Sequence, residues 1–336
     1  MATQAEDWVI PKGSLVLITG ANGFLGSHVV EQFLEFGFKV RGTVRNLDRL
    51  SNLERRWDSK YPGLFQAVEI PDLTKEGCYA EAIKGVAAFV HTAADVTFTP
   101  DYEAVVGTAV NSTLNALRTA AAEPSIKRFV LTSSYVAAAP PQVGKDGTKF
   151  DANSWNEQVV EMTKSAPKDH PLLGPFIYMT SKVKSEQAAW DFMKEAHPSF
   201  ALNTVLPAIS LGELFDDKKQ WGSTSSILRD VFLMKGNDLA KHTPIHMGLL
   251  HVGGVVLKNV ENERLFGVSE ILTWNDMLAN IRRLYPGRET YDDFDERRKE
   301  ISYYDTTSSL ACLKELGRSG WKPMDEAIQE NLAQYA

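Results

Sequence analysis

The sequence predicts an α/β protein, a doubly wound parallel sheet followed by a smaller lobe. Three observations carry this expectation. Short apolar runs alternate with helical patterns through the first two thirds of the chain, a glycine-rich turn joins the first run to the first helix, and the alternation fades after Pro207.

The elements follow in order. Residues 15–18 form a short apolar run ending in Thr19-Gly20. Leu25, Val29, Val30, Phe33 and Leu34 then recur at helical spacing, and Gly37 closes that helix. Residues 39–44 read as the next strand, and 65–70, 87–92, 128–132 and 202–206 as further strands. Helical patterns lie around 79–83, 105–122 and 176–196. Buried, valine-rich strands separated by helices imply a parallel sheet covered on both faces. Past Pro207, loops and short helices surround one clear strand at 265–268, and the densely charged segment 282–299 reads as a solvated face. The expected division is a nucleotide-binding domain over 1–207 and a smaller lobe over 208–336. The lobe can return strands or helices to the first domain.

The bulk properties narrow the function classes. With 336 residues and 43% hydrophobic content, the chain can bury a sizeable core. A net charge of −7 with no long basic stretch gives no sign of a nucleic-acid partner. No apolar stretch is long enough to span a membrane. Cys78 and Cys312 have no metal-ligand spacing and allow one bridge at most, so a reducing, cytoplasmic setting is expected.

Gly20-Ala21-Asn22-Gly23-Phe24-Leu25-Gly26 follows a predicted strand and opens a predicted helix. Gly20 permits the tight turn, Gly23 lets a pyrophosphate approach the backbone, and Gly26 allows close helix–strand packing. The amides and dipole of the helix start favour the anion. This is the Rossmann arrangement, and it implies a dinucleotide. At the end of the next strand, where NAD proteins usually carry a carboxylate for the ribose hydroxyls, this sequence has Arg45. A guanidinium there suits a 2′-phosphate, so NADPH is the expected cofactor. Arg41 lies too early in the strand for that contact.

Tyr178 and Lys182, four apart on a predicted helix, share a face. A neighbouring ammonium stabilises a phenolate, and a phenol so tuned can act as general acid or base. Thr132-Ser133-Ser134 ends a strand at the crevice where open α/β sheets bind ligands, and a hydroxyl there can hold a substrate oxygen. His91 reads as a satisfied strand histidine.

On these residues the chain resembles the extended short-chain dehydrogenase/reductases, and within them the dihydroflavonol-reductase-like branch that includes yeast and fungal carbonyl reductases. Residues 19–26, 40–45 and 128–134, Tyr178 to Lys182 with Ser185-Glu186, and Leu316-Gly317 with Trp321-Lys322-Pro323 carry the likeness. The resemblance implies Ser134, Tyr178 and Lys182 as the catalytic set. Tyr178 would be the proton donor and Lys182 the ligand of the nicotinamide ribose. It further implies cofactor contacts from Asn22, Phe24 and Leu25 within the glycine turn, from Asp72 and Leu73 at the adenine, from Ala93, and from Pro207 and Ile209 at the nicotinamide. Asn111 would be a structural or relay asparagine.

The implied reaction reduces a ketone or aldehyde by NADPH hydride, without a metal. Val96, Phe98, Tyr135, Pro175, Phe176 and Trp221 are candidate pocket walls, apolar enough for a carbonyl compound with a hydrophobic substituent. Departures from the plant flavonoid enzymes over 135–141 argue against dihydroflavonol itself. The expected partner is a small carbonyl compound, and the expected assembly a monomer or homodimer. The competing readings are a nucleotide-sugar epimerase or dehydratase of the same fold and a non-catalytic NADP(H)-binding regulator.

Overall fold

A computed structural model describes residues 8–140, 146–216, 220, 225–235, 245–246, 256–294 and 301–336. Its centre is a seven-stranded sheet in the order β3-β2-β1-β4-β5-β7-β9, with every pairing parallel. The strands are β1 (Leu15–Thr19), β2 (Lys39–Val44), β3 (Phe65–Glu69), β4 (Val86–His91), β5 (Arg128–Thr132), β7 (Ala201–Pro207) and β9 (Arg264–Gly267). The chain runs outward from β1 to β3 and then crosses back to β4. The crevice between the carboxyl ends of β1 and β4 is therefore the topological switch point, where such sheets bind ligands.

Two apolar layers show why the strands are valine-rich. On one face Val16, Ile18, Val40, Ala88 and Val90 pack beneath α1 (Phe24–Glu35) and α2 (Ser51–Lys60). On the other, Leu17, Phe89, Phe129, Leu131 and Leu202 pack beneath α3 (Thr108–Ala121) and α5 (Leu173–Ala196). Burying each such side chain contributes roughly 1.5–3 kcal/mol. A third cluster, between α6 (Ser225–Phe232), α7 (Trp274–Leu284) and α9 (Met324–Leu332), lies outside the sheet. Helix α8 (Thr307–Glu315) sends Cys312 back into the first layer. Both cysteines are free thiols. Among the described residues no helix is long and apolar enough to cross a membrane.

Two expectations need correction. The pattern at 79–83 forms hydrogen-bonded turns instead of a helix. Ala80 N–H bonds to Gly77 O and Ile83 N–H to Tyr79 O, but Gly77 and Gly85, both at positive φ, bracket a segment too short to propagate. The helix expected over 105–122 opens with a wider π turn at Glu103–Gly107 before α3 proper. The local pattern gives no sign of α2, of α4 (Glu157–Ser165), of a parallel pair of short strands, β6 (Asp146–Phe150) with β11 (Ile301–Tyr304), or of the antiparallel pair β8 (Ile245–His246) with β10 (Ile271–Leu272).

Candidate active site

The glycine turn is built by crowding. Gly20 sits at φ +67°, and a Cβ there would lie 3.1 Å from Ala93 Cα. A Cβ on Gly26 would stand 2.1 Å from Gly20 O, so only glycine lets α1 start directly against the end of β1. Gly23, the N-cap, contributes no side-chain acceptor, and the first turn of α1 carries no acidic residue. The first-turn amides thus have no side-chain cap, which is the condition for holding a phosphate. Phe24 is buried against His28 and Leu25 is half-buried in the core, so these two offer a ligand their backbone amides. Asn22 is half-buried, and its carbonyl receives a long hydrogen bond from Gln220. Gln220 also donates to Ser27 Oγ at 2.7 Å, closing the outer side of the turn. Nothing in the local sequence pattern pointed to Gln220.

Arg45 stands exposed at the end of β2 with no ion pair among the described residues. Arg41 is engaged elsewhere, donating to Gln66, Ala82 O and Lys84 O. Asp72 is exposed past β3, and its carboxylate accepts from the amide and hydroxyl of Thr74, which holds it below the ordinary carboxylate range. The carbonyl of Leu73 accepts from Asn115 Nδ2 at 2.8 Å, as does that of Lys75 at 3.0 Å. Asn115 is the buried asparagine of α3, while Asn111, one turn earlier, is exposed. The structural role expected of Asn111 therefore belongs to Asn115. The amide of Ala93 donates to Thr19 Oγ1 at 3.2 Å. Thr19 also accepts from Thr92 N–H, which leaves its own proton for His91 Nδ1 at 3.0 Å. Burial, followed by the nearby Lys182 charge, takes His91 down to about 4, so it is a neutral structural histidine at neutral pH.

Ser134, Tyr178 and Lys182 converge at the carboxyl ends of β5 and β7. Ser134 caps a short 3-10 turn at Tyr135–Ala137 and donates to Pro207 O at 3.5 Å. Its side chain is close enough to the Tyr178 hydroxyl to favour the ionised phenol. Lys182 is buried, its Nζ donates to Thr132 O at 3.2 Å, and the ammonium lies 5.9 Å from the Tyr178 ring centroid. The four-residue spacing implies a lysine that lowers the phenol. Burial dominates instead and pushes Tyr178 up to about 12, with Ser134 pulling the other way. A phenol in that range is fully protonated at neutral pH, as a proton donor must be. Burial also brings Lys182 down to about 8, opposed by Glu186. Lysine below its ordinary pKa loses its charge as pH rises through about 8, and the support it gives a phenolate goes with it. Carbonyl reduction is expected to decline on that alkaline side, and a flat pH–rate profile between pH 7 and 9.5 would contradict the assignment.

This arrangement can bind a dinucleotide across the switch point and present a protonated phenol and a hydroxyl to one reacting oxygen, with a buried ammonium beside the phenol. The chain is also similar to known proteins. The chain is 45% identical over 332 residues to aldehyde reductase 2 of Sporidiobolus salmonicolor, covering 97% of each chain. It belongs to the extended short-chain dehydrogenase/reductases. Residues 17–167 match the 3-beta hydroxysteroid dehydrogenase/isomerase family. A further relative in this family, 31% identical over 95% of this chain and 96% of its own, is the NAD-dependent epimerase/dehydratase terH of Aspergillus terreus. The fold is shared with yeast methylglyoxal/isovaleraldehyde reductase Gre2, crystallised with NADPH. That likeness has a TM-score of 0.80 at 23% identity, covering 95% and 97% of the two chains.

The family's fold leaves the substrate side to local residues, and here the candidates divide. The Phe98 ring meets the Tyr178 ring edge-on, 5.1 Å between centroids. Phe98 holds φ +54°, and its carbonyl fits against α5 because position 174 is glycine: a Cβ there would stand 2.0 Å from Phe98 O. Val96 and Pro175 are half-buried nearby in sequence. Tyr135 is buried in an aromatic cluster with Phe150, Phe266 and Tyr304, which Tyr178 joins from one side. Phe176 points elsewhere, into the α4–α5 layer with Val159 and Val160, and is core. The helical period explains this, since residues two apart on α5 face different ways. Ile209 is half-buried against the third cluster, whereas Pro207 meets Ser134. Trp221 lies outside the described residues. Phe150 and Tyr304 come from β6 and β11, and no local pattern placed them beside Tyr135.

Proposed function

We propose that this chain reduces ketones and aldehydes to alcohols with NADPH. The reading is carried by Ser134 and Tyr178 brought together beside the buried ammonium of Lys182, at the same end of the sheet as an uncapped helix start. The similarity to an aldehyde reductase over the whole chain supports it. The site's residues fit the cofactor: first-turn amides of α1 for the pyrophosphate, Arg45 for the 2′-phosphate, Asp72 and Leu73 for the adenosine side, Lys182 for the nicotinamide ribose, and Ala93, Pro207 and Ile209 as walls. NADPH, when bound, supplies the hydride. Ser134 donates a hydrogen bond to the carbonyl oxygen, and Tyr178 passes its proton to the developing alkoxide. Lys182 keeps positive charge beside the phenolate left behind. Phe98 and Tyr135 make the substrate side apolar.

The working unit proposed is a cofactor domain over 1–207 with a substrate lobe over 208–336, acting in the cytoplasm on a small carbonyl compound, as a monomer or homodimer. The free thiols of Cys78 and Cys312 support a reducing setting. The test is a ketone and aldehyde panel with NADPH and NADH, followed by chiral analysis of the alcohols. Absence of carbonyl-dependent NADPH oxidation across the panel would overturn the reading.

An epimerase or dehydratase could use the same tyrosine and lysine, as the name of one relative suggests. Arg45 separates the two, because a tightly held NAD calls for a carboxylate where this chain places a guanidinium. Arg45→Ala is expected to raise the KM for NADPH by about 10–100-fold, the worth of a charge-assisted hydrogen-bond pair, with NADH little affected. Equal changes for both cofactors would remove the phosphate assignment.

A further inference from the structure

Behind the residues that face the substrate lies a buried ionic cluster. Glu186 is fully buried on α5, one turn beyond Lys182. Its Oε1 accepts from Thr204 Oγ1 at 2.7 Å, Arg264 Nε at 2.7 Å and Trp190 Nε1 at 3.3 Å. Its Oε2 accepts from Ser133 Oγ at 2.6 Å and Arg264 Nη2 at 3.3 Å. Arg264 is itself buried on β9, directly opposite Thr204 in the sheet register. Its Nη1 donates to Ala152 O at 2.9 Å and Ser154 O at 2.6 Å, and its guanidinium lies 3.9 Å from the Trp155 ring centroid.

A buried ion pair is seldom worth more to stability than an apolar pair of the same shape. The position of the partners gives this one another use. Ser133 precedes Ser134 in the chain. Lys182 lies on the same face of α5 as Glu186, a turn away. Thr204 lies on β7, the strand that ends at Pro207, whose carbonyl accepts from Ser134. One carboxylate therefore joins the strand bearing the serine, the helix bearing Tyr178 and Lys182, and the two strands beyond them.

We propose that Glu186, pinned by Arg264, is a positioning residue for carbonyl reduction. It fixes the Ser133–Ser134 corner against α5 and keeps Lys182 charged beside Tyr178. The inference rests on the reading of Ser134, Tyr178 and Lys182 given above. The groups facing Lys182 are Tyr178 and Glu186 on its own helix, the Thr132 carbonyl on β5, neutral His91 on β4, and Arg264 behind Glu186 on β9. Among these Glu186 is the anion, and it opposes the burial that draws Lys182 down.

The test is the pH profile of kcat/KM for reduction. Glu186→Gln is expected to move the alkaline limb towards acid by on the order of one pH unit, as removal of a nearby opposite charge does. Glu186→Asp, which keeps the charge, should return the limb most of the way. A residue with a merely structural role would lower activity without moving the limb, so a wild-type limb in Glu186→Gln overturns the inference. Should that variant fail to fold, Thr204→Val removes one donor to the carboxylate at constant shape. It is expected to lower kcat by on the order of fivefold with the carbonyl KM and NADPH affinity unchanged, and wild-type kcat would overturn the inference equally. Wild type and Tyr178→Phe in the same assay separate the two levels. An inactive wild type or a fully active Tyr178→Phe defeats the reading of the site. An active wild type with an unmoved Glu186→Gln limb defeats the positioning role alone.

Discussion

Tyr178→Phe is expected to lower kcat for carbonyl reduction by about 10²–10⁴-fold, the usual worth of a positioned general acid. The variant keeps the ring, so its edge-on contact with Phe98 and its place in the aromatic cluster persist. What goes is the hydroxyl beside Ser134. NADPH affinity should therefore stay within about twofold, because the cofactor's phosphates are assigned to the α1 amides and Arg45. Steady-state kinetics together with NADPH titration by fluorescence would check both halves. Retention of kcat would show that another group or water protonates the alkoxide. A large loss of NADPH affinity would show that the phenol chiefly holds the cofactor. Ser134→Ala should give a smaller loss, since the serine stabilises the oxygen without supplying the proton.

Gly26→Ala is the second substitution with a large expected effect. The added Cβ would stand 2.1 Å from Gly20 O and 2.9 Å from Gly20 C, and neither is a side chain that can swing aside. Helix α1 must then move off the end of β1. The layer formed by Val29, Val30 and Phe33 against the sheet moves with it. Such overpacking costs about 1–3 kcal/mol. The same displacement draws the first-turn amides away from a bound pyrophosphate, and the NADPH Kd should rise more than about tenfold. Thermal melting and calorimetric titration measure the two effects separately. A variant that melted and bound NADPH like the wild type would show that the turn tolerates what its geometry forbids.

The sequence made much of this architecture legible where the signal is local. The strands β1, β2, β5 and β7 are short segments rich in apolar and β-branched residues, and their bounds in the structure agree with the expectation to within a residue. The glycine turn and the Tyr178–Lys182 spacing are likewise local, since a few neighbouring residues hold the whole pattern. What escaped depends on partners far along the chain. Helix α2 buries little beyond Leu53 and Trp57, too thin a stripe to stand out. The pairing of β6 with β11 joins residues 146–150 to 301–304, and neither segment announces the other. Glu186 carries no local signal of its own, because a carboxylate on a helix ordinarily faces water. Its burial follows from Arg264, which no spacing connects to it. Asn111 and Asn115 lie on one helix a turn apart, and only the packed structure decides which of them meets the Asp72–Cys78 loop. Phe176 illustrates the opposite error. Its aromatic character suits a pocket wall, and helical rotation sends its ring and that of Tyr178 to different sides.

The edge strand β9 has a consequence for the nascent chain. A polypeptide that has left the ribosome as far as Pro207 already contains the glycine turn, Arg45, Ser134, Tyr178 and Lys182. It can assemble six strands of the sheet and a place for a dinucleotide. Glu186 would at that stage face Ser133 and Thr204 with no guanidinium to balance it. Only when residue 264 slides in beside Thr204 does the carboxylate gain its counter-ion. Cofactor capture can thus precede chemical competence during synthesis, because the last strand to join the seven-stranded sheet is the one that brings the counter-ion of Glu186.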